Sequence, residues 1–402
     1  MWSRRRIDIT WRDLASAAAM FPRRRADATS AIERDFGNKS LAVLSVRSGF
    51  DLLLSRCDFA PGDEVLMSAA TIADMASIVR HHNLVPVPVD LDPATMFPTV
   101  ETISASITAR TRAVVLAHLY GSLSDIGPTA ELCRRRGLML IEDAAQAFAG
   151  DRWRGHEHSH VVMFSFGPIK TATALGGGIM IVRDDELRRS MRQRHATYPV
   201  QPRSEYYRRL MRYAGLKFLS PRPMTRCLFA MCGLLGRDAS TLINGAVRNI
   251  NGEDFFGHLR RQPSAVLVAM MHRRIARYDM RALDRRAALG DQFVRALADG
   301  IDRPSGEMVP SSAASPHTWW AVPVACTDVE AAAATLRSAG FDSATHSSMQ
   351  TIDAIEGRPD TNPTQAAAAI AKTLYVPLYP AMPTKEIKRM AKLLQPHISQ
   401  SD

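Results

Sequence analysis

At 402 residues the chain is longer than an ordinary single domain, so one large core with a smaller companion is expected. Hydrophobic residues at 46% and charged residues at 23% are a soluble globular composition, and no run of about 18 apolar residues supports a membrane-spanning helix. The net charge of +11 gathers in arginine runs such as Arg4–Arg6, Arg23–Arg25 and Arg134–Arg136; none is interleaved with aromatics, so no nucleic-acid partner is expected. The opening MWSRRRIDITWRDL has no apolar stretch after its arginines, which argues against a secretory signal and for the cytoplasm. Five scattered cysteines, of which only Cys227 and Cys232 are close, read as reduced core thiols.

In chain order, short apolar runs alternate with helical stretches. Val65–Ser68, Val85–Asp90, Ala113–Leu119, Leu138–Asp143 and Val161–Phe166 read as buried strands, with helices over Thr71–His81 and Ile126–Arg136 between them. That rhythm predicts an α/β fold with a mainly parallel sheet covered by helices, whose ligands sit at the carboxyl ends of the strands. One long helical stretch is expected from Ser264 to Leu297. It is followed by a strand in His317–Cys326, a helix capped by Asp328 and ended by Gly340, and a turn into a final helix within Tyr375–Leu394. The expected division is a large domain over 1–262, with an insertion at about 199–256, and a linking helix with a small domain over 263–402.

The insertion carries the apolar patch Cys227–Gly236 between Arg226 and Arg237. It is too short to span a bilayer. Two readings stand: a peripheral membrane or lipid-linked-substrate contact, or a helical hairpin packed on the body or on a second subunit. The segment GHEHSH places His156, His158 and His160 together without an acidic or thiol partner at metal spacing, so a polar turn is expected there and no metal.

Several residues suit one kind of chemistry. Asp143 ends a strand, where a carboxylate in a dry crevice needs a cation or donors; it reads equally as a helix cap. Gln146 follows three residues later. Lys170 comes just after the strand ending in Ser165 and Phe166, where partial desolvation lowers an amine's pKa and favours Schiff-base formation. Ser165 points a hydroxyl at the same crevice. The run Gly176–Gly178 permits close backbone approach. Arg47 and Ser48 precede a helix and suit a phosphate, with Ser48 equally readable as a plain N-cap. A lysine, an acid and a phosphate cradle are what pyridoxal 5′-phosphate (PLP) requires of a protein.

With these residues in hand, the chain resembles the DegT/StrS-type aminotransferases, a fold-type-I PLP family known for aminating keto sugars. APGDEV, VPVPVDLDP, AHLYG, IEDAAQA, SFGPIK and VPLYPAMPTKEI resemble its motifs in order, and IEDAAQA followed by SFGPIK is the most specific pair. The resemblance implies a seven-stranded-type sheet and a homodimer. It implies that Asp143 pairs the pyridine nitrogen, Gln146 contacts the ring oxygen, Ser165 holds the phosphate and Lys170 is both Schiff-base lysine and proton shuttle. Arg47 and Ser48 fall on the family's phosphate positions. Three departures stand out: Ile72 where an aromatic usually stacks on the ring, glycine in place of a usual Glu in the triple-glycine turn, and Leu259 where an Asn usually reaches the neighbouring subunit.

The function expected is transfer of an amino group from an amino-acid donor, Glu or Gln, to a keto acceptor such as a nucleotide- or lipid-linked keto sugar. The rivals are other PLP chemistry, such as a dehydratase or lyase, and a non-catalytic scaffold of the same fold.

Overall fold

The computed structural model describes residues 1–3, 7–20, 24–219, 254–345 and 348–398. Its strands are β1 (Ser40–Val43), β2 (Glu64–Ser68), β3 (Ala70–Ile72), β4 (Val85–Val89), β5 (Thr111–Ala117), β6 (Met139–Asp143), β7 (Val161–Ser165), β8 (Gly178–Val182), β9 (Val322–Ala325), β10 (Met349–Thr351) and β11 (Thr373–Val376). The central sheet has seven strands in the order β1-β8-β7-β6-β5-β2-β4. Neighbours from β7 to β4 pair parallel, while β8 runs antiparallel to both β1 and β7. The other six strands therefore end on one edge, where β8 begins.

Both faces of the sheet are apolar, as continuous Val, Ile and Leu runs require. Val161, Met163, Met180 and Val182 face one core with Phe50, Ile78 and Met191, contributed by α3 (Val46–Leu54), α4 (Ala73–His81) and α7 (Asp185–Ala196). Val162, Phe164, Ile179 and Ile181 face the other, under α1 (Trp11–Ala19), α2 (Arg25–Asp35), α8 (Arg203–Leu219) and the helix Ala265–Ala276. Farther along that face, α5 (Val100–Ser106) and α6 (Gly127–Arg136) cover Val87, Val114 and Leu140. α6 ends where Gly137 turns left-handed at φ +65°.

A separate core gathers β9, β11 and the helices Met280–Ala298, Val329–Ser338 and Thr384–Leu394 around Phe293, Trp319, Leu336, Leu374 and Met390. As expected, Asp328 caps the second of these helices, accepting the Ala331 N–H at 2.9 Å, and Gly340 follows it at φ +87°. Among the connections that tie this part to the sheet domain, β10 pairs antiparallel with β3, Trp2 bridges Phe341 and Ser122 bridges His317.

The structure corrects three sequence expectations and adds one strand. Thr71 and Ile72 are strand, not helix, because their backbone is paired with Gln350 and Met349; α4 begins at Ala73. The stretch Ser264–Leu297 is two helices, Ala265–Ala276 and Met280–Ala298, since Asp279 caps a new start by accepting the Ala282 N–H at 3.1 Å. Strand structure within His317–Cys326 is confined to Val322–Ala325. Before it, Thr318 N–H and Oγ1 both donate to Gly121 O, and Trp319 has φ +48°. β1, not anticipated, is a short run that pairs with β8.

The patch Cys227–Gly236 lies outside the described residues. No helix among the described residues is long and apolar enough to cross a membrane. GHEHSH folds as a turn: the His156 N–H donates to Glu142 at 2.7 Å, and His160 Nδ1 accepts the Leu140 N–H at 3.0 Å.

Candidate active site

Strand pairing assembles the site along one edge of the sheet. Val43, Gly178 and Ser165 stand side by side at the ends of β1, β8 and β7, and Asp143 ends β6 between Met163 and Ala117. The loop after β7 folds back on itself, with Lys170 N–H donating to Gly167 O at 3.1 Å and the Ala174 and Gly176 N–H groups donating to Phe166 O. Lys170 is thereby returned to the crevice that holds Asp143.

Asp143 caps no helix. Its Oδ1 accepts the Ala145 N–H at 3.0 Å in a local turn, its one side-chain hydrogen bond among the described residues. Burial, the dominant influence, lifts its carboxyl above the usual range, against the opposing pull of the Ala145 N–H, Lys170 and His118. Lys170 is displaced in the complementary sense. Burial brings its amine down to about 8, with Asp143 holding it up and Arg47 pressing it further down. The pair is an underpartnered acid facing an amine poised near neutrality.

Gln146 reaches across to the loop after β5. Its Oε1 accepts the Tyr120 N–H at 2.7 Å, which supports Tyr120 in a left-handed conformation at φ +59°. The amide orientation that satisfies Tyr120 leaves Nε2 as a donor, 3.9 Å from Met349 Sδ. Met349 stands opposite Ile72, the position at which the resemblance implies an aromatic.

The residues expected to hold a phosphate lie around the start of α3 and the end of β7. Ser45, not Ser48, is the N-cap: its Oγ accepts the Ser48 N–H at 3.1 Å, and the two hydroxyls lie 2.9 Å apart. Ser48 is thus released from capping. Arg47 forms an ion pair with Asp74 in the first turn of α4. Ser165 Oγ lies 3.4 Å from the Gly167 N–H. The triple glycine now has a physical reason: a Cβ on Gly178 would stand 3.0 Å from both Ser45 C and Val46 N, and Gly177 has φ +87°. Only glycine lets β8 begin against the start of α3.

Four contributing residues were missed in the sequence. Trp320 lays its ring over Lys170 Nζ at 4.3 Å from the centroid, pinned by its Nε1–H donating to Ile169 O at 2.9 Å. Asp74 holds Arg47. His118 and Glu142, both buried, bond at 2.9 Å and brace β5 against β6 on the side away from Asp143. AHLYG and IED contain that pair, and the alternation of a strand would have placed Glu142 opposite Asp143 in facing. Leu259 is 2% exposed, packed into the core under α3, while Arg260 makes two 3.0 Å hydrogen bonds to Asp51 of α3. In this chain that segment fixes α3.

The donor set fits a phosphorylated pyridine. Asp143 has no side-chain ion pair among the described residues, Gln146 offers an N–H and Lys170 a nucleophilic amine, and Arg47, Ser48 and Ser165 lie at the start of α3 and the end of β7, which the strand register brings together. Only neutral amine attacks an aldehyde. Capture of added PLP by cofactor-free protein is therefore expected to speed up with pH and level off above about 8. Arg47→Met should move that midpoint upward, since a repelling cation is removed, and weaken PLP binding by about tenfold or more. Stopped-flow absorbance against pH reads both; a rate still climbing toward pH about 10, the ordinary lysine range, would contradict the assignment.

A mainly parallel seven-stranded sheet with one reversed strand, carrying these groups along a single edge, is the fold of the fold-type-I PLP transferases. The aminotransferase TlmJ from Streptoalloteichus hindustanus superposes with a TM-score of 0.70 at 20% identity, covering 98% of each chain. Residues 32–218 match the DegT/DnrJ/EryC1/StrS aminotransferase family. Sequence relatives include a pleiotropic regulatory protein of Geobacillus stearothermophilus, 34% identical over 40% of this chain and 44% of its own length. The GDP-perosamine synthase of Caulobacter vibrioides is 38% identical over 38% of this chain and 42% of its own. The L-glutamine:2-deoxy-scyllo-inosose aminotransferase of Streptomyces kanamyceticus is 35% identical over 46% and 42%. The matches thus span less than half the length of these relatives.

Proposed function

We propose that the protein is a PLP-dependent aminotransferase that takes an amino group from glutamate or glutamine and delivers it to a keto acceptor, such as a nucleotide- or lipid-linked keto sugar. The observation that carries this reading is an opposed, interacting pair: burial raises Asp143 and lowers Lys170, each acts electrostatically on the other, and Arg47 is near enough to press Lys170 further down. PLP covalently held by Lys170 would supply an electron sink for the charge that develops when a substrate C–H bond breaks. Lys170 Nζ would take that proton and return it at the neighbouring carbon. Asp143 would hold the ring nitrogen protonated, Gln146 would fix the ring oxygen, and Ser48, Arg47 and Ser165 would anchor the phosphate. The names of the perosamine synthase and the inosose aminotransferase support a sugar-like acceptor, and the latter names glutamine as donor. The protein is proposed to work as a cytoplasmic homodimer, with its domains divided near residues 262 and 263.

A second reading, a non-catalytic protein on the same fold, draws on the regulatory relative. One experiment separates the readings: the visible spectrum of purified protein before and after L-glutamate or L-glutamine. A yellow band that fades with one of these donors, with an equal amount of the corresponding 2-oxo acid formed, is the result expected. A band indifferent to both would favour other PLP chemistry, and a protein that takes up no PLP would favour the scaffold.

A further inference from the structure

The large apolar side chains left exposed among the described residues are Trp11, Ile169, Val200, Met211 and Phe218, and three of these five share one surface. α8 buries Tyr206, Leu210 and Tyr213 against the body. Its opposite side therefore presents Arg208, Met211, Arg212, Gly215 and Phe218, spaced as one helical stripe with its flank. Met211 is 72% and Phe218 61% exposed, which a helix already packed on one side does not require.

α1 lies antiparallel beside α8. Tyr207 Oη donates to Ala17 O at 2.9 Å near one end, and Lys217 Nζ lies 5.9 Å from the Trp11 ring centroid at the other. Trp11, 52% exposed, thus joins Phe218 at the carboxyl end of α8. Arg12, Arg208 and Arg212 border these residues, all exposed. The single acid on α8, Glu205, is engaged by Arg209 and Arg261.

We propose that this α1–α8 face docks on an anionic lipid bilayer. Aromatic and thioether side chains fringed by arginines suit the boundary between acyl chains and negative headgroups, where each basic residue and each buried apolar group adds to binding. A second copy of the chain fits less well: a two-fold contact centred on the stripe would set Arg208 and Arg212 against the same arginines. None of these residues belongs to the candidate active site, so the proposal stands apart from the amino-transfer reading.

Co-sedimentation of the full-length protein with phosphatidylglycerol vesicles, beside phosphatidylcholine vesicles, tests it. Binding to the first and little to the second, weakened by salt, is expected. Met211→Ser with Phe218→Ser, and Arg208→Glu with Arg212→Glu, should each lower the bound fraction's partition coefficient at least about tenfold. Unchanged melting temperatures would show that the variants are folded. A parent protein that ignores phosphatidylglycerol, or paired variants that bind as the parent does, would overturn the proposal. So would a parent that fails to bind vesicles while the variants change its oligomeric state in light scattering, since the face would then be a contact between copies.

Discussion

Lys170→Ala is expected to remove the covalent hold on PLP and lower amino transfer by at least about 10⁴-fold, because nucleophile and proton carrier are lost together. The fold should survive. Lys170 sits in a turn beside the exposed Ile169, and its side chain gives up one ring contact with Trp320. The substitution should also change the pH dependence of stability in a definite direction. Burial brings the folded-state pKa of Lys170 down to about 8, below the ordinary lysine value of 10.5. Between these values the unfolded chain binds the extra proton, so this group's contribution to stability rises with pH across that window. Melting curves of parent and Lys170→Ala should therefore differ most at neutral pH, with the variant the more stable, and converge toward pH about 10. Lys170→Arg keeps a cation and loses the nucleophile, so it should be as inactive as alanine without the gain in stability. A Lys170→Ala enzyme that still converts donor at the parental rate would remove Lys170 from the chemistry.

Much of the sheet was legible because its strands are runs of Val, Ile, Leu and Met buried on both faces, and such runs need no partner to be recognised. Asp143, Ser165 and Lys170 were legible for the same reason: each lies at or just beyond the carboxyl end of such a run. What stayed hidden depends on contacts between distant segments. β3 exists because β10 pairs with it from the far side of the chain, so Thr71 and Ile72 read as helix in isolation. Trp320 reaches Lys170 only through a loop held by Gly121. Ser45 and Ser48 are both reasonable caps in sequence, and only the hydrogen bond to the Ser48 N–H decides between them. Asp279 is different. A capping residue at the start of a helical run was there to be read within RYDMRAL, and the long apolar periodicity on either side masked it.

Asp143→Asn preserves shape and removes charge, and its expected cost is about 10²–10³-fold in the rate of amino transfer, the scale of losing one preorganised electrostatic partner. PLP uptake should persist, since the phosphate side and Lys170 are untouched. Two further shifts distinguish this role from a structural one. Asp143 holds the Lys170 amine up, so without it the pH midpoint for PLP capture should fall below the parent's value of about 8. Stability should move the opposite way from that of a capping aspartate. A carboxyl whose folded-state pKa is raised makes the folded protein bind the extra proton, so its contribution to stability is lost as pH rises above the ordinary carboxylate value. Asp143→Asn should accordingly be more stable than the parent at pH 7, with the advantage vanishing as the pH is lowered to about 4. A variant that is less stable at neutral pH would mean that Asp143 serves the turn through Ala145 and not a cation in the crevice. A more stable and slower variant is what a carboxylate kept underpartnered for catalysis predicts.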